Sequence, residues 1–165
     1  MRLRRELYGL MPTNVELVTY LECSPDEAWE RVQTSALLNY IAAPLVRFVP
    51  HDGAFPKQWS VGEYSAGMLL FGLLPIGEQT IGIEFPPADG NRRILRDNGR
   101  GTMIRRWDHW IEIAPEGAGT RYVDRVTVEA GLLTPAIAAF ARLVYAHRQR
   151  RWRALASSGF AALEG

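Results

Sequence analysis

At 165 residues, of which 47% are hydrophobic, the chain has the size of one domain and can bury a substantial core. Its 19 basic and 18 acidic side chains leave a formal charge of +1, which gives no global attraction to nucleic acid or to a membrane surface. One cysteine and three scattered histidines exclude an internal disulfide and any recognisable metal-ligand spacing. We therefore expect a single domain over residues 1–165, with no metal ion, no other cofactor and no nucleic-acid partner.

The N-terminal stretch MRLRRELYGLMP begins like the basic region of a signal peptide, but Glu6, Gly9 and Pro12 interrupt its apolar part. We expect residues 1–13 to form a short arm instead. The longest apolar run, GMLLFGLLPIG, is much shorter than the roughly 20 residues that cross a bilayer. These features predict a cytoplasmic protein without an integral membrane segment, and they leave open whether it forms a homodimer.

The segment NVELVTYLE, residues 14–22, is rich in β-branched and aromatic residues and predicts the first strand. Ser24 follows as an N-cap, Pro25 occupies the first helical position, and Glu27 completes a capping box. The segment SALLNYIAA, which starts at Ser35, predicts a second short helix. One strand is therefore followed by two helices in tandem.

From Leu45 to about Gly131, short apolar and β-branched runs alternate with turn residues, a pattern typical of successive antiparallel hairpins. The segment DNGRG, residues 97–101, is interpreted as one of the tight turns. Six further strands are predicted, at residues 45–49, 63–71, 78–85, 92–97, 102–114 and 119–130.

The last segment, TPAIAAFARLVYAHRQRRWRALASSGFAAL, predicts one long helix with Thr134 as its N-cap and Pro135 at its first position. Its apolar residues recur at helical spacing, with Arg148 as the one polar intrusion in the stripe, so one face should pack against the sheet. The cluster HRQRRWR within this helix is interpreted as a solvated face. Contact with acidic headgroups and gating of a cavity are the alternatives.

This order of elements, together with the segments SPDEAWE, LLFGLLPIGEQTI and GTRYVDRVTV, resembles the START-like superfamily (SRPBCC), which includes Bet v 1-like proteins and polyketide cyclases. The resemblance implies an α+β helix-grip fold, in which a seven-stranded curved antiparallel sheet wraps around a long C-terminal helix and two short helices follow the first strand. It also implies a cavity that holds a lipid, polyketide or isoprenoid-like ligand. Glycines in the proposed third and fourth strands agree with strong curvature of the sheet.

One predicted hairpin places a histidine on the face that is expected to be concave. If PEGA, residues 115–118, is a four-residue loop, His109 lies directly opposite Asp124. Alternation puts both side chains on the more apolar face, with Arg105 and Tyr122 as further donors. Three roles stay open for the pair: contact with a ligand, a purely structural hydrogen bond, and general acid/base catalysis.

The residues expected to contact the ligand come from the concave face of the sheet and the inner face of the last helix. They are Met68, Leu70, Ile81, Ile83, Arg105, Trp107, His109, Ile111, Tyr122, Asp124, Phe140 and Val144.

The sequence favours a ligand-binding protein without catalysis, because it contains no nucleophile motif, phosphate loop or dinucleotide fingerprint. Cys23, beside a helix N-terminus, is interpreted as a small buried residue. One alternative is an enzyme of the polyketide cyclase or aromatase type, with His109 and Asp124 as an acid-base pair. The other is a protein-interaction or membrane-interaction domain that uses the arginine-rich helix.

Overall fold

The structure, a computed structural model, describes residues 11–164, so most of the arm expected over residues 1–13 lies outside the described residues. The first strand is β1 (Thr13–Leu21), and the helices after it are α1 (Pro25–Val32) and α2 (Ser35–Ala42). The next strands are β2 (Val46–Pro50), β3 (Gly62–Leu70), β4 (Leu74–Glu84), β5 (Arg93–Gly101), β6 (Arg106–Glu116) and β7 (Gly119–Glu129). The long helix α3 (Thr134–Ser157) follows them.

The seven strands form one sheet in the order β1, β7, β6, β5, β4, β3, β2, and every neighbouring pair is antiparallel. The predicted α+β helix-grip fold is confirmed, including the two short helices after the first strand. A β-bulge between Met68 and Leu69 interrupts the β3–β4 register close to Gly77, whose φ is 133°. An inserted residue of this kind bends the strand and increases its twist, which suits a sheet that must curve.

The segment DNGRG belongs to β5, so the prediction of a tight turn there is wrong. A Cβ atom at Gly101 would lie 2.6 Å from the carbonyl oxygen of Glu78, and glycine is therefore needed here for close approach of two strands. The turn lies at residues 102–105, where Gly101 and Ile104 exchange backbone hydrogen bonds. As a result β6 begins at Arg106, four residues later than predicted.

The first helix begins where its capping residues predict. The Ser24 hydroxyl oxygen accepts the Glu27 N–H at 3.1 Å at the start of α1. At α3, by contrast, Thr134 is not the N-cap, because a 3₁₀ turn over Gly131–Leu133 leads directly into the helix. The Thr134 hydroxyl instead accepts the N–H of Ala130 at 2.9 Å from within the first helical turn.

Helix α3 packs on β1, β7 and α2, that is, over one end of the sheet. Its buried face is formed by Thr134, Ala138, Ala141, Val144, Tyr145, Gln149, Trp152, Leu155 and Ala156. None of the helices in residues 11–164 combines the length and the apolar character of a membrane-spanning segment. Because α3 covers β1 and β7, the inner faces of the remaining strands are left free to enclose a cavity beside it.

Candidate functional site

A cavity of about 620 Å³ lies between α3, α2 and the inner face of the sheet. Most of its wall is aliphatic or aromatic. Nearly all the apolar residues expected to contact a ligand line it, as does the predicted histidine: Met68, Leu70, Ile81, Ile83, Trp107, His109, Ile111, Phe140 and Val144. Three expected contact residues, Arg105, Tyr122 and Asp124, do not line the cavity.

The register of the β6–β7 hairpin differs from the predicted one. The loop has two residues rather than four, because Gly117, with a φ of 57°, allows a tight turn. His109 therefore lies opposite Val126, and Asp124 lies opposite Ile111. Each residue moves by two positions relative to its expected partner. Since two is an even number, His109 and Asp124 keep the same face and meet diagonally.

The Asp124 carboxylate is saturated by three side-chain donors. His109 Nε2 lies 2.7 Å and the Tyr122 hydroxyl 3.0 Å from one carboxylate oxygen, and Gln149 Nε2 lies 2.8 Å from the other. Gln149 also donates to the backbone oxygen of Leu17 at 3.1 Å. All these groups except Leu17 are buried, so one carboxylate connects β6, β7 and α3 behind the cavity wall.

The protonation states of the pair follow from burial and hydrogen bonding. Burial lowers the pKa of His109, so the imidazole is neutral near pH 7 and donates its Nε2–H to Asp124. Burial alone would raise the pKa of Asp124. The hydrogen bond from His109, the charge of Arg148 and the bond from Gln149 outweigh it, so the carboxyl pKa lies below its ordinary value and the group is ionised.

Arg105 and Tyr122 were expected to contact a ligand, but neither lies at the cavity. Arg105 belongs to the turn before β6, where strand alternation does not apply, and its side chain is 74% exposed near Glu129. Tyr122 is fully buried, and its hydroxyl is committed to Asp124. Neither side chain reaches the cavity.

Asp97 lines the cavity and is a residue that the sequence analysis missed. It pairs with His109 across β5 and β6, and its Oδ1 accepts the N–H of Gly82 at 2.8 Å. Gly82 is required there, because a Cβ atom would lie 2.7 Å from the backbone oxygen of Asn98. Burial raises the pKa of Asp97 to about 7, although the Gly82 bond and the Arg148 charge oppose the rise. Both forms of this carboxyl therefore exist near neutral pH.

Helix α3 contributes two more polar side chains to the cavity, Tyr145 and Arg148. The Tyr145 hydroxyl accepts the Trp107 Nε1–H at 3.1 Å, and its ring centroid lies 4.6 Å from that of His109. The guanidinium carbon of Arg148 lies 4.7 Å from the Tyr145 ring centroid. The sequence marked Arg148 as a polar intrusion in an apolar stripe, and this was the signal for a residue that faces the cavity.

The arginine-rich cluster HRQRRWR is only in part a solvated face. Arg151 donates to the backbone oxygen of Tyr40 at 2.9 Å, and Arg153 donates to the hydroxyl of Thr19 at 2.9 Å. Arg150 is exposed. Two cations of this cluster, Arg151 and Arg153, therefore hold α3 to its neighbours.

Cys23 is buried, as expected from the sequence. Burial, with a smaller effect from the charge of Glu27, raises the pKa of its thiol to about 11, so the thiol is protonated at neutral pH. Within the range 11–164, no group of three or more His, Cys, Asp or Glu side chains is arranged to hold a metal ion.

A family model described as Domain of unknown function (DUF8410) matches residues 19–156. No curated protein matches the chain in sequence. Two solved bacterial structures are similar over most of their length. A START superfamily protein from Mycobacterium smegmatis has a TM-score of 0.61 at 13% identity, with 88% of this chain and 97% of that chain covered. Protein CV1439 from Chromobacterium violaceum has a TM-score of 0.62 at 16% identity, with coverage of 87% and 96%.

The structure of Ara h 8.0201, a protein of the Bet v 1 type, is also similar, with a TM-score of 0.53 at 8% identity. The match covers 86% of this chain and 98% of that chain. At such low identity these three likenesses speak for the fold alone, and they agree with the START and Bet v 1-like architecture that the sequence resembles.

Proposed function

We propose that this chain, which belongs to the DUF8410 family and has the START and Bet v 1-like fold, binds a small hydrophobic or amphipathic ligand between the sheet and α3. The observation that carries the proposal is the cavity of about 620 Å³ with its mainly apolar wall. Sites for small molecules typically have volumes of roughly 300–1,000 Å³ and a few polar groups that orient the ligand.

The rim of the cavity supports the same proposal. Ile76, Met103 and Phe140 line the cavity and are also exposed to solvent, at 36%, 65% and 36%. The cavity therefore reaches the surface through apolar side chains, which offer an apolar molecule a continuous path inward.

Native mass spectrometry of the gently purified protein, followed by solvent extraction, tests the proposal directly. We expect a bound small molecule that leaves the protein on extraction. An uncharged fluorescent probe, N-phenyl-1-naphthylamine, provides a second measurement, because its emission rises when it enters an apolar site. Absence of both a bound molecule and probe binding would contradict the proposal.

A substitution that fills the cavity makes this test specific. Met68 lines the cavity and is half-buried, so Met68→Trp should reduce probe affinity by about tenfold or more without rebuilding the core. Val61, which is 72% exposed and does not line the cavity, provides the matched control Val61→Trp. Equal probe affinity in the two variants would place the probe elsewhere on the protein.

A second candidate function is acid/base catalysis on the bound molecule. It is favoured by the neutral imidazole of His109, which lines the cavity and is held in one orientation by Asp124. A cyclisation or dehydration that proceeds by proton transfer needs one positioned base and a shaped pocket. His109 would be that base, and Asp124 would position it.

The molecule recovered from a His109→Gln variant distinguishes the two candidates. For an enzyme, the variant retains substrate where the wild-type protein retains product. A dehydration lowers the recovered mass by one water, and a cyclisation without loss of water leaves the mass unchanged but alters the chromatographic retention and the fragment ions. For a binding protein, the same molecule is recovered from both. Matching melting temperatures establish that His109→Gln still folds.

A further inference from the structure

We propose that Arg148 binds an anionic head group, a carboxylate or a phosphate, and that the cavity therefore takes an amphipathic acid whose hydrocarbon part contacts the apolar wall. The inference rests on the proposed function, since it assigns a ligand class to the same cavity. The observation that supports it is that Arg148 Nε is buried and has no hydrogen-bond partner among residues 11–164.

Arg148 differs from every other arginine in residues 11–164. Nine of them form ion pairs with carboxylates: Arg31, Arg92, Arg93, Arg96, Arg100, Arg105, Arg106, Arg121 and Arg125. Two others, Arg151 and Arg153, donate hydrogen bonds to uncharged oxygens. Three more are exposed to solvent: Arg47, Arg142 and Arg150. Arg148 faces the cavity, and its buried Nε has no hydrogen-bond partner in the described part of the chain.

The two carboxyl groups whose charge acts on Arg148, Asp124 and Asp97, do not accept a hydrogen bond from it. Asp124 is occupied by donors from His109, Tyr122 and Gln149. Asp97 accepts the Gly82 N–H, and with a pKa of about 7 it is a neutral acid for part of the time. Neither carboxylate forms an ion pair with Arg148 within the range 11–164.

Arg148 stays cationic in this environment. Burial alone would lower its pKa, but surrounding acidic groups, Tyr145 and Asp124 foremost, keep the pKa above its ordinary value. An enclosed cation without a hydrogen-bonded partner is unfavourable, because it has given up part of its hydration. A ligand that supplies an anion removes this deficit, whereas an uncharged ligand leaves it in place.

The geometry suits an oxyanion. The guanidinium carbon of Arg148 lies over the Tyr145 ring, 4.7 Å from its centroid, and this contact uses none of the guanidinium N–H groups as a hydrogen-bond donor to an oxygen. A carboxylate or phosphate can accept two parallel N–H bonds from a guanidinium. The rest of the wall is mainly aliphatic and aromatic, so the body of the ligand is hydrocarbon.

Four molecules with the same twelve-carbon chain test the head-group preference: dodecanoate, dodecyl phosphate, 1-dodecanol and dodecyltrimethylammonium. Their affinities are measured below the micelle concentrations by displacement of N-phenyl-1-naphthylamine. We expect the wild-type protein to bind at least one of the two anions about tenfold or more tightly than the alcohol, and the cation most weakly. The relative affinities of dodecanoate and dodecyl phosphate then identify the head group.

Arg148→Met should remove the preference for the anion, so that the affinities for the anion and for the alcohol come within about threefold of each other. Arg150→Met, an exposed position on the same helix, is the matched control and should retain the preference. Arg148→Gln, which keeps a polar side chain without charge, gives the same test if the methionine variant folds poorly. Melting curves establish that each variant folds.

The failures of the two proposals are distinguishable. If the wild-type protein binds neither the probe nor any of the four molecules, the proposed binding function is wrong. If it binds anion and alcohol equally, or if the preference survives in Arg148→Met and Arg148→Gln, the cavity binds ligands but Arg148 is not the head-group site.

Discussion

Asp124 and Arg148 are two charged groups between the same helix and the same sheet, and their surroundings differ. Asp124 accepts hydrogen bonds from three buried side chains and lies behind the cavity wall. Arg148 lines the cavity, and its Nε has no partner among residues 11–164. A saturated buried charge belongs to the fold, whereas an unsatisfied one facing an apolar cavity is available to a ligand.

The position of the cavity wall also separates the role of His109 from that of Asp124. Asp124 cannot touch a molecule in the cavity, because it does not line it. His109 lines the cavity and presents its ring there, while its Nε2 is committed to Asp124. Any contact of the pair with a ligand therefore passes through the histidine, and the aspartate positions it.

Removal of the saturated charge should have the largest effect. Asp124→Ala leaves the donors on His109, Tyr122 and Gln149 without an acceptor in a buried site, and we expect a loss of about 3–5 kcal/mol in the free energy of unfolding. Urea denaturation measures the loss. The matched control Asp89→Ala, at a fully exposed side chain, should change stability by no more than about 0.5 kcal/mol. Similar values for both variants would contradict a structural role for the network.

Asp97→Asn should stabilise the protein in a pH-dependent way. The folded-state pKa of about 7 lies above the unfolded value of roughly 4, so the folded protein loses stability as the pH rises through this interval. Asparagine cannot ionise and retains an acceptor for the Gly82 N–H. We expect a gain of about 4 kcal/mol at pH 8 and a much smaller one near pH 4. A constant difference between variant and wild type across this range would rule out titration of Asp97.

Removal of the unsatisfied charge should have the smallest effect. Arg148→Met replaces a cation without a polar partner by an apolar side chain, and we expect a change of less than about 1 kcal/mol in the absence of ligand. The pKa of Asp97 should rise further, because the Arg148 charge lowers it in the wild-type protein. Urea denaturation across the same pH range measures both quantities. A loss as large as that in Asp124→Ala would mean that Arg148 supports the fold itself.

Local signals were sufficient to predict the order of the helices and strands, and the resemblance to the START-like superfamily implied their helix-grip arrangement. Ser24 and Pro25 marked the start of α1, and runs of alternating residues marked the seven strands. The register of the β6–β7 hairpin was wrong because loop length depends on whether Gly117 makes a tight turn. The shared face of His109 and Asp124 was nevertheless correct, since the loop error displaced the register by an even number of residues.

The polar part of the site was harder to predict, because it depends on contacts between distant segments. Asp97 was missed because it lies in the glycine-rich segment DNGRG, whose composition is typical of turns. In the structure these glycines allow β4 and β5 to approach each other closely. Arg148 was visible as a polar residue in an apolar stripe. Helical spacing alone could not show whether a carboxylate pairs with Arg148, since any such partner would come from a different element of the fold.

The one cysteine of the chain has a practical consequence for these measurements. Cys23 is buried and its thiol is protonated at neutral pH, so a maleimide dye will react with it slowly. A cysteine introduced at the cavity rim, as in Met103→Cys, would then be the thiol that is labelled. An environment-sensitive fluorophore at that position could follow the entry and release of ligands in real time, with the native cysteine left in place.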